Sequence, residues 1–577
     1  MSRSTAEQMV DMLKAAGIRR IYGVTGDSLN FFNDALRRDG SIDWIHVRHE
    51  EAGAYAAMAE GVLGGLGCCA GSSGPGHVHL LNGLYDAQRW GAPVLAIPST
   101  IASQDFGTES FQSTDLGMFD GCSCYNAVAL TPQQLPRMLQ QALQQAWSHK
   151  GVGVCAVPGD LMTQHADSDA SAPLLYRPEP VTRPSDPELQ ALAELINTVD
   201  DVGIYGGVGC SGARAEVLEL AGKLKAPVAW TLKAKMTLEH DNPFGVGMTG
   251  LLGAKAGARA ITGGQLLLML GSDFPWTEFL DSSVKIVQID TKPERLGRRV
   301  ALHSGLCGDI GPTLRALLPL LDTKTDGRFL NACLADLHDT QRDYHTHAAD
   351  PGEADSVKPE FLAATIDRLA DDDAIFTADT GMCAVWAARY VRSTGKRTLM
   401  GSFSHGSMAN AMPQSIGAAL HCPQRQVIAF CGDGGLSMLL GDLATIAQYQ
   451  LPVKLIVFNN RALGMVELEM QVAGLPDWQT TMVNPDFAAV AEACGIRGVS
   501  VKQPDRVEAA VKEALAHDGP LLLEVFTNPF VPTLPPHTSI GVLSRYIESQ
   551  AKLTLGGRIG EVWEAFKTNI GYLRDLR

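Results

Sequence analysis

The stretch Val427-Ile428-Ala429-Phe430-Cys431-Gly432-Asp433-Gly434-Gly435 reads as a buried strand running into a glycine turn. A helix near 436–450 follows, then a second apolar strand at 453–458 that ends in Asn459-Asn460. In a parallel β-α-β unit both turns emerge at the carboxyl edge of the sheet, where α/β proteins bind ligands. That placement sets Asp433 beside Asn460 and offers a carboxylate and an amide oxygen to a hard cation. Mg²⁺ takes a few such oxygens and fills its other positions with phosphate and water. Gly434 and Gly435 leave the backbone free to approach a diphosphate at the amino terminus of the following helix. No Gly-Lys-Ser/Thr follows these glycines, which excludes a Walker-type phosphate loop here.

The chain has 577 residues, enough for about three to four domains of ~150 residues each. A net charge of −16, with no local Lys/Arg cluster, argues against a nucleic-acid-binding surface. The 12 cysteines lie singly or as Cys68-Cys69 and Cys122-Ser123-Cys124, without the spacing of a zinc site. Met1-Ser2-Arg3-Ser4-Thr5 carries no signal-peptide pattern, so a reducing cytoplasm is expected. No apolar run reaches the ~18 residues that a spanning helix needs.

Two polar stretches, near 166–187 and 322–358, divide the sequence into three α/β blocks. Short apolar strands alternate with helical patterns in each, for example at 21–25, 93–97, 202–205, 266–270, 286–289 and 375–377. The fold class is α/β, with three doubly wound parallel-sheet domains at 1–175, 185–335 and 355–530. A tail at 531–577 follows.

In the first block Arg48-His49-Glu50-Glu51 lies between an apparent strand at 44–47 and a helix of small residues. Glu50 is read either as a carboxylate favoured by a helix start or as a functional acid. Gly71-Ser72-Ser73-Gly74-Pro75-Gly76 reads as a turn opening a helix.

Together with the GDG and NN segments, these residues resemble the thiamine-diphosphate-dependent enzymes. Gly26-Asp27-Ser28, Phe111-Gln112, Gly245-Val246-Gly247-Met248-Thr249-Gly250-Leu251 and Gly401-Ser402-Phe403-Ser404-His405-Gly406-Ser407-Met408-Ala409-Asn410-Ala411-Met412-Pro413 narrow the likeness. They resemble the bacterial quinone-dependent pyruvate dehydrogenases, or respiratory pyruvate oxidases, from about residue 5 to about 530. The resemblance implies pyrimidine-binding, FAD-binding and diphosphate-binding domains in that order. It implies that Glu50 activates the coenzyme and that Met408 props it in a bent conformation. His405, Gly406, Ser407, Asp433, Gly434, Gly435, Asn460, Gly464 and Met465 then line the coenzyme, and Asp379-Thr380-Gly381 adjoins it. Asp433, Asn460 and the carbonyl of Ala462 hold Mg²⁺. Phe111, Gln112 and Met465 form the substrate pocket.

The middle block has Gly206-Gly207-Val208-Gly209, Gly271-Ser272-Asp273-Phe274, Asp290 and Gly308-Asp309-Ile310 at strand ends. These suit a nucleotide, although no intact G-x-G-x-x-G occurs. FAD comes from the resemblance, with Thr249, Gly250, Leu251, Leu252, Phe274 and Asp290 as its binding residues. In the tail, Ile559, Trp563, Phe566, Ile570 and Leu573 recur at three- and four-residue steps, as on an amphipathic helix. Such a helix lies in a membrane interface or docks on its own protein.

The resemblance implies oxidative decarboxylation of pyruvate to acetate and CO₂, with electrons passing through FAD to a membrane quinone. A homotetramer is expected, with coenzyme sites between subunits, located in the cytoplasm or peripherally on the inner face of the cell membrane. Met465 stands where the quinone group has an aromatic residue, and Glu467 adds charge near the expected pocket. An acetolactate synthase-type carboligase with structural FAD, a phosphate-dependent oxidase making acetyl phosphate and peroxide, and a non-catalytic cofactor-binding regulator are the alternatives.

Overall fold

The computed structural model describes residues 3–166, 175–250 and 252–531, together with Ser549 and Lys552. The expected tail helix and Leu251 lie outside the described residues. The first sheet contains β1 (Arg20–Gly23), β2 (Asp43–His46), β3 (Gly67–Gly71), β4 (Val94–Thr100), β5 (Tyr125–Val128) and β6 (Val152–Pro158). Its order is β2-β1-β3-β4-β6-β5, and every paired neighbour is parallel. The second contains β7 (Val202–Gly206), β8 (Val228–Trp230), β9 (Gly245–Met248), β10 (Leu266–Leu270), β11 (Lys285–Asp290) and β12 (Ser304–Cys307). Its order, β12-β11-β10-β7-β8-β9, is that of a dinucleotide-binding sheet, with the reversal between β7 and β10.

A short antiparallel pair, β13 (Gly352–Glu353) and β14 (Ser356–Val357), precedes the third sheet. That sheet contains β15 (Ile375–Ala378), β16 (Thr398–Gly401), β17 (Val427–Gly432), β18 (Val453–Asn459), β19 (Arg497–Val501) and β20 (Leu521–Phe526). Its order, β16-β15-β17-β18-β20-β19, repeats that of the first sheet. Central strands such as β4, β10 and β18 are buried along their whole length, because helices cover both faces of a parallel sheet. This is why they appear in the sequence as continuous apolar runs.

Helix Glu50–Val62 owes its run of Ala and Gly to close helix packing. A β-carbon on Gly417, in helix Ala411–His421, would land on the backbone oxygen of Ala56. One on Gly83, in helix Pro75–Trp90, would sit 2.6 Å from the Ala54 β-carbon. First and third domains therefore share one apolar core, running from Ala52, Ala56 and Leu84 to Met412, Ile416 and Val427. Most of the middle domain's apolar residues form cores of their own.

The polar stretch at 322–358 is not simply a linker. It holds the helix Arg328–Ala349, of which Leu330, Cys333 and Asp336 are buried. Its apolar face, with Phe329, Cys333, Leu334 and Leu337, packs on a core of the middle domain. The helix expected near 436–450 is also broken, into Asp433–Met438, a 3₁₀ turn at Leu440–Asp442, and Leu443–Gln448. No described helix is long and apolar enough to cross a membrane.

Candidate functional site

In the third domain, four loops leave the carboxyl edge of neighbouring parallel strands. β15 leads into Asp379-Thr380-Gly381, β16 into the loop carrying Met408, β17 into Asp433, and β18 into Asn460. The strand order reverses between β15 and β17, where open α/β sheets form a ligand crevice. Asp433 opens its helix and is 3% exposed. Burial pushes its carboxyl up to about 6, opposed by hydrogen bonds from Asn484 and from backbone N–H groups. Its Oδ1 accepts the Gly434 N–H at 2.9 Å, and its Oδ2 accepts the Arg461 N–H at 2.7 Å. Asn460 Oδ1 accepts the N–H of Ala462 at 3.1 Å.

The glycines here are required by space. A β-carbon on Gly434 would lie 2.8 Å from Leu463 Cδ2 and 3.2 Å from Met408 Cε, so Met408 packs over this turn. One on Gly435 would collide with Asp379 Oδ2, and one on Gly464 would stand 2.9 Å from Asn460 Nδ2. Asp379 is turned inward, accepting N–H groups from Ala411 at 2.9 Å and Gly432 at 3.0 Å. Its carboxyl is pushed up to about 7 by burial. Non-glycine residues with left-handed backbone lie beside these groups: Ala409 has φ 65° and Arg461 has φ 56°. Such strain persists where surrounding structure enforces it, and it clusters at functional sites. A nearly buried carboxylate, an adjacent amide oxygen and a glycine-lined helix start fit a divalent cation with a diphosphate.

The first domain collects its own group of predicted residues. Glu50 is the first residue of its helix and is 7% exposed. Its Oε2 accepts from His79 Nδ1 at 2.9 Å, while a β-carbon on Gly76 would sit 3.1 Å from its Oε1. Gly74, at φ 74°, has Gln112 pressed against it, and Ser73 Oγ donates to Gln112 Oε1 at 3.2 Å. The glycine-proline turn thus joins Glu50 to Gln112, whose own φ is 63°. Gln112 lines a cavity of about 330 Å³ with His77, Thr100, Phe106, Thr114 and Leu130. Phe111 does not pack there; it is 87% exposed.

His49, Glu50 and His79 bring possible metal-ligand atoms within 4.8 Å of one another. However, His49 Nδ1 accepts the Glu51 N–H at 3.2 Å, as a helix cap, and its ring stacks on His79 at 4.3 Å. The cluster thus contains a carboxylate–imidazole pair beside a helix cap.

Among the described residues, no hydrogen bond joins Glu50 to Asp433 within one chain. Arg48 donates its N–H to Asp442 Oδ1 at 2.8 Å, and His46 donates its own to the Tyr449 hydroxyl at 2.7 Å. The Glu50 segment thus rests on 440–449, beyond the helix that Asp433 opens. His405 and Ser407 face Asn82 of the first domain. Asn82 Nδ2 donates to Ser407 Oγ at 2.9 Å and to Glu51 Oε1 at 2.7 Å, and Asn82 Oδ1 is 3.0 Å from His405 Nε2. Burial lowers the His405 pKa, with the nearby Arg89 adding to the effect. Gly406 has φ 84° in this loop, and Met465 lies near Gly381.

In the middle domain, Gly207 and Gly209 press against Gly271 beside the β7–β10 reversal. The hydroxyls of Thr249 and Ser272 are buried without hydrogen-bond partners, which suits a cradle awaiting a polar ligand. Phe274 packs inward on Tyr205 and beneath Gly250, with 5.2 Å between the Phe and Tyr ring centres. Asp290 ends β11, and burial raises its pKa. Leu252 touches the cores of both the middle and third domains.

The sequence reading missed Asn484, Asn82 and His79. Each is a single polar residue brought in from a distant loop or helix, with no local spacing to mark it.

The chain matches three domain models of thiamine pyrophosphate enzymes: the N-terminal TPP binding domain at 3–119, the central domain at 189–317, and the C-terminal TPP binding domain at 379–525. It is 37% identical over 536 residues to the putative thiamine pyrophosphate-containing protein YdaP of Bacillus subtilis, covering 91% of this chain and 92% of that protein. It is 31% identical over 538 residues to the pyruvate oxidase of Lactiplantibacillus plantarum, covering 89% and 87% respectively. With the acetolactate synthase isozyme 2 large subunit of Escherichia coli it shares 30% identity over 549 residues, covering 92% and 98%. Because these alignments run along most of both partners and the domain matches fall on the three sheets in order, the chain belongs to the thiamine pyrophosphate-dependent enzyme family.

Proposed function

We propose that this enzyme oxidatively decarboxylates pyruvate to acetate and CO₂, with electrons leaving through FAD in the middle domain to a membrane quinone. The observation that carries the reading is the Asp433–Asn460 mouth at the third sheet's reversal, with Gly434 beneath Met408. Bound thiamine diphosphate supplies the nucleophilic carbon and the electron sink that decarboxylation of a 2-oxo acid needs. Asp433, Asn460 and the Ala462 carbonyl would hold Mg²⁺, with the backbone at Gly434 and Gly435 beside the diphosphate. Met408, packed over that turn, would support the bound coenzyme. Glu50 would be its hydrogen-bond and proton partner at the pyrimidine ring.

The exposure of Phe111, an expected pocket residue, supports sites completed by a second subunit. We take the assembly to be a homotetramer. The dinucleotide-type order of the middle sheet and its two orphan hydroxyls support FAD there, with Thr249, Gly250, Leu251, Leu252, Phe274 and Asp290 around it. Pyruvate is the substrate suggested by the pyruvate oxidase relative; the acetolactate synthase relative supports the carboligase alternative. Contact of the tail with a lipid surface belongs to this proposal too.

Anaerobic mixing with pyruvate, thiamine diphosphate and Mg²⁺, followed by flavin absorbance, tests the reading. Bleaching, acetate as product and reoxidation by added quinone are expected, with lipid vesicles accelerating the last step. Acetolactate without bleaching favours the carboligase, and phosphate-dependent acetyl phosphate with peroxide favours the oxidase. Glu50→Gln should slow bleaching by about 10²–10⁴-fold while coenzyme still binds. Unchanged bleaching in that variant removes Glu50 from the mechanism.

A further inference from the structure

Behind Asp433 runs a chain of polar side chains that crosses two strands. Glu524, in β20 and fully buried, accepts through Oε1 from Asn459 Nδ2 at 2.7 Å. Asn459 ends β18, and its Oδ1 accepts from Asn484 Nδ2 at 2.9 Å. The same Asn484 nitrogen donates to Asp433 Oδ2 at 2.7 Å. Along this chain both amides donate through nitrogen, Asn459 to Glu524 and Asn484 to Asp433. The loop bearing Asn484 is itself tied to the Asn460 loop. Leu463 donates its N–H to Thr480 O and Met482 donates to Arg461 O, each at 2.8 Å.

Asp433 Oδ2 therefore takes two donors, Asn484 Nδ2 and the Arg461 N–H. Oδ1 accepts the Gly434 N–H. A carboxylate oxygen has two lone pairs, so Oδ2 is filled and Oδ1 keeps capacity. We infer that Asn484 is a positioning residue for the cation site: it locks the Asp433 carboxylate so that Oδ1 faces the metal. This inference rests on the proposed coenzyme site and adds to it a residue that the sequence pattern did not mark. Outer partners of this kind orient metal ligands, and their loss typically weakens metal binding by about 10–100-fold.

Two variants separate orientation from packing. Asn484→Ala removes the donor and leaves space. Asn484→Leu keeps the volume but carries no donor. In the full-length protein, stripped of divalent cations and supplied with thiamine diphosphate, Mg²⁺ is titrated while coenzyme binding is followed by calorimetry. The Mg²⁺ concentration at half-saturation should rise about 10–100-fold in both variants. Thermal unfolding of the cation-free proteins should fall further for the Ala variant, which leaves a void, than for the Leu variant. An unchanged Mg²⁺ requirement in both, or a rise confined to the Ala variant, overturns the inference while leaving the coenzyme site standing. Should the alanine variant fail to fold, the leucine variant alone decides. Absence of Mg²⁺-dependent coenzyme binding in the unmodified protein overturns the site reading and this inference with it.

Discussion

At Gly435 the position of a β-carbon is already taken by Asp379 Oδ2. That oxygen cannot retreat cheaply, since it accepts the Gly432 N–H and belongs to a carboxyl buried beneath the turn. Gly435→Ala should therefore displace Asp379 or lift the turn, costing about 1–3 kcal/mol as overpacking of a tight interior does. Denaturant unfolding measures the cost, and coenzyme affinity should fall with it; an unaltered midpoint would show that the turn yields freely. That Asp433, Gly434 and Asn460 lie at one sheet edge was legible in the sequence, because two apolar strands ending in glycine and amide turns define that edge. What Asn459 does was not. It shares the motif with Asn460, yet its side chain points back to Glu524 and Asn484. Spacing along a chain identifies the loop but does not say which of two neighbouring side chains leaves the strand.

Among the elements, the three helices Glu50–Val62, Pro75–Trp90 and Ala411–His421 show how small residues act at a distance from the chemistry. Gly417 lets helix Ala411–His421 lie directly on the backbone of Ala56, and this contact binds the first domain to the third. Gly417→Ala should force the helices apart and cost about 1–3 kcal/mol. Amide hydrogen exchange should show faster opening of Glu50–Val62 in this variant, while β19, on the far edge of the third sheet, keeps its protection. Equal loss at both would mean global destabilisation in place of local undocking. The strands flanking these helices were readable because full burial makes them continuous apolar runs. Helix Arg328–Ala349 was not, since its stretch from Asp339 to His347 is polar apart from Tyr344 and reads as a linker. The matching order of the first and third sheets was also hidden: strand order depends on which buried runs become neighbours, and runs such as β4 and β18 are all apolar alike.

The three domains of the whole molecule meet at a point that no single motif announces. Asp86 comes from helix Pro75–Trp90 of the first domain, Lys233 from the turn after β8 in the middle domain, and Ser402 and Ser404 from the third. Lys233 Nζ donates to the Trp90 carbonyl at 2.7 Å, lies 3.5 Å from Ser404 Oγ, and stands 4.5 Å above the Trp90 ring. Ser402, through a side-chain hydrogen bond, and the nearby Lys233 favour the ionised form of Asp86. Burial pushes Asp86 up from 3.8 to about 7 and Lys233 down from 10.5 to about 8. Between about pH 4 and 7 the folded chain thus holds a proton on Asp86 that the unfolded chain has released. Stability falls as pH rises through that window, by at most about 1.4 kcal/mol per unit. For Lys233 the sign reverses: between about pH 8 and 10.5 the unfolded chain binds a proton that the folded chain lacks, so stability rises with pH there. The junction is consequently weakest from about pH 7 to 8, where both buried groups are charged. Asp86→Asn should abolish the acid-side slope, so the difference in unfolding free energy between variant and parent should change steadily from pH 4 to 7 and then level. A difference that stays flat across that range would show that Asp86 is already ionised in the folded protein, held by Lys233 across the domain boundary.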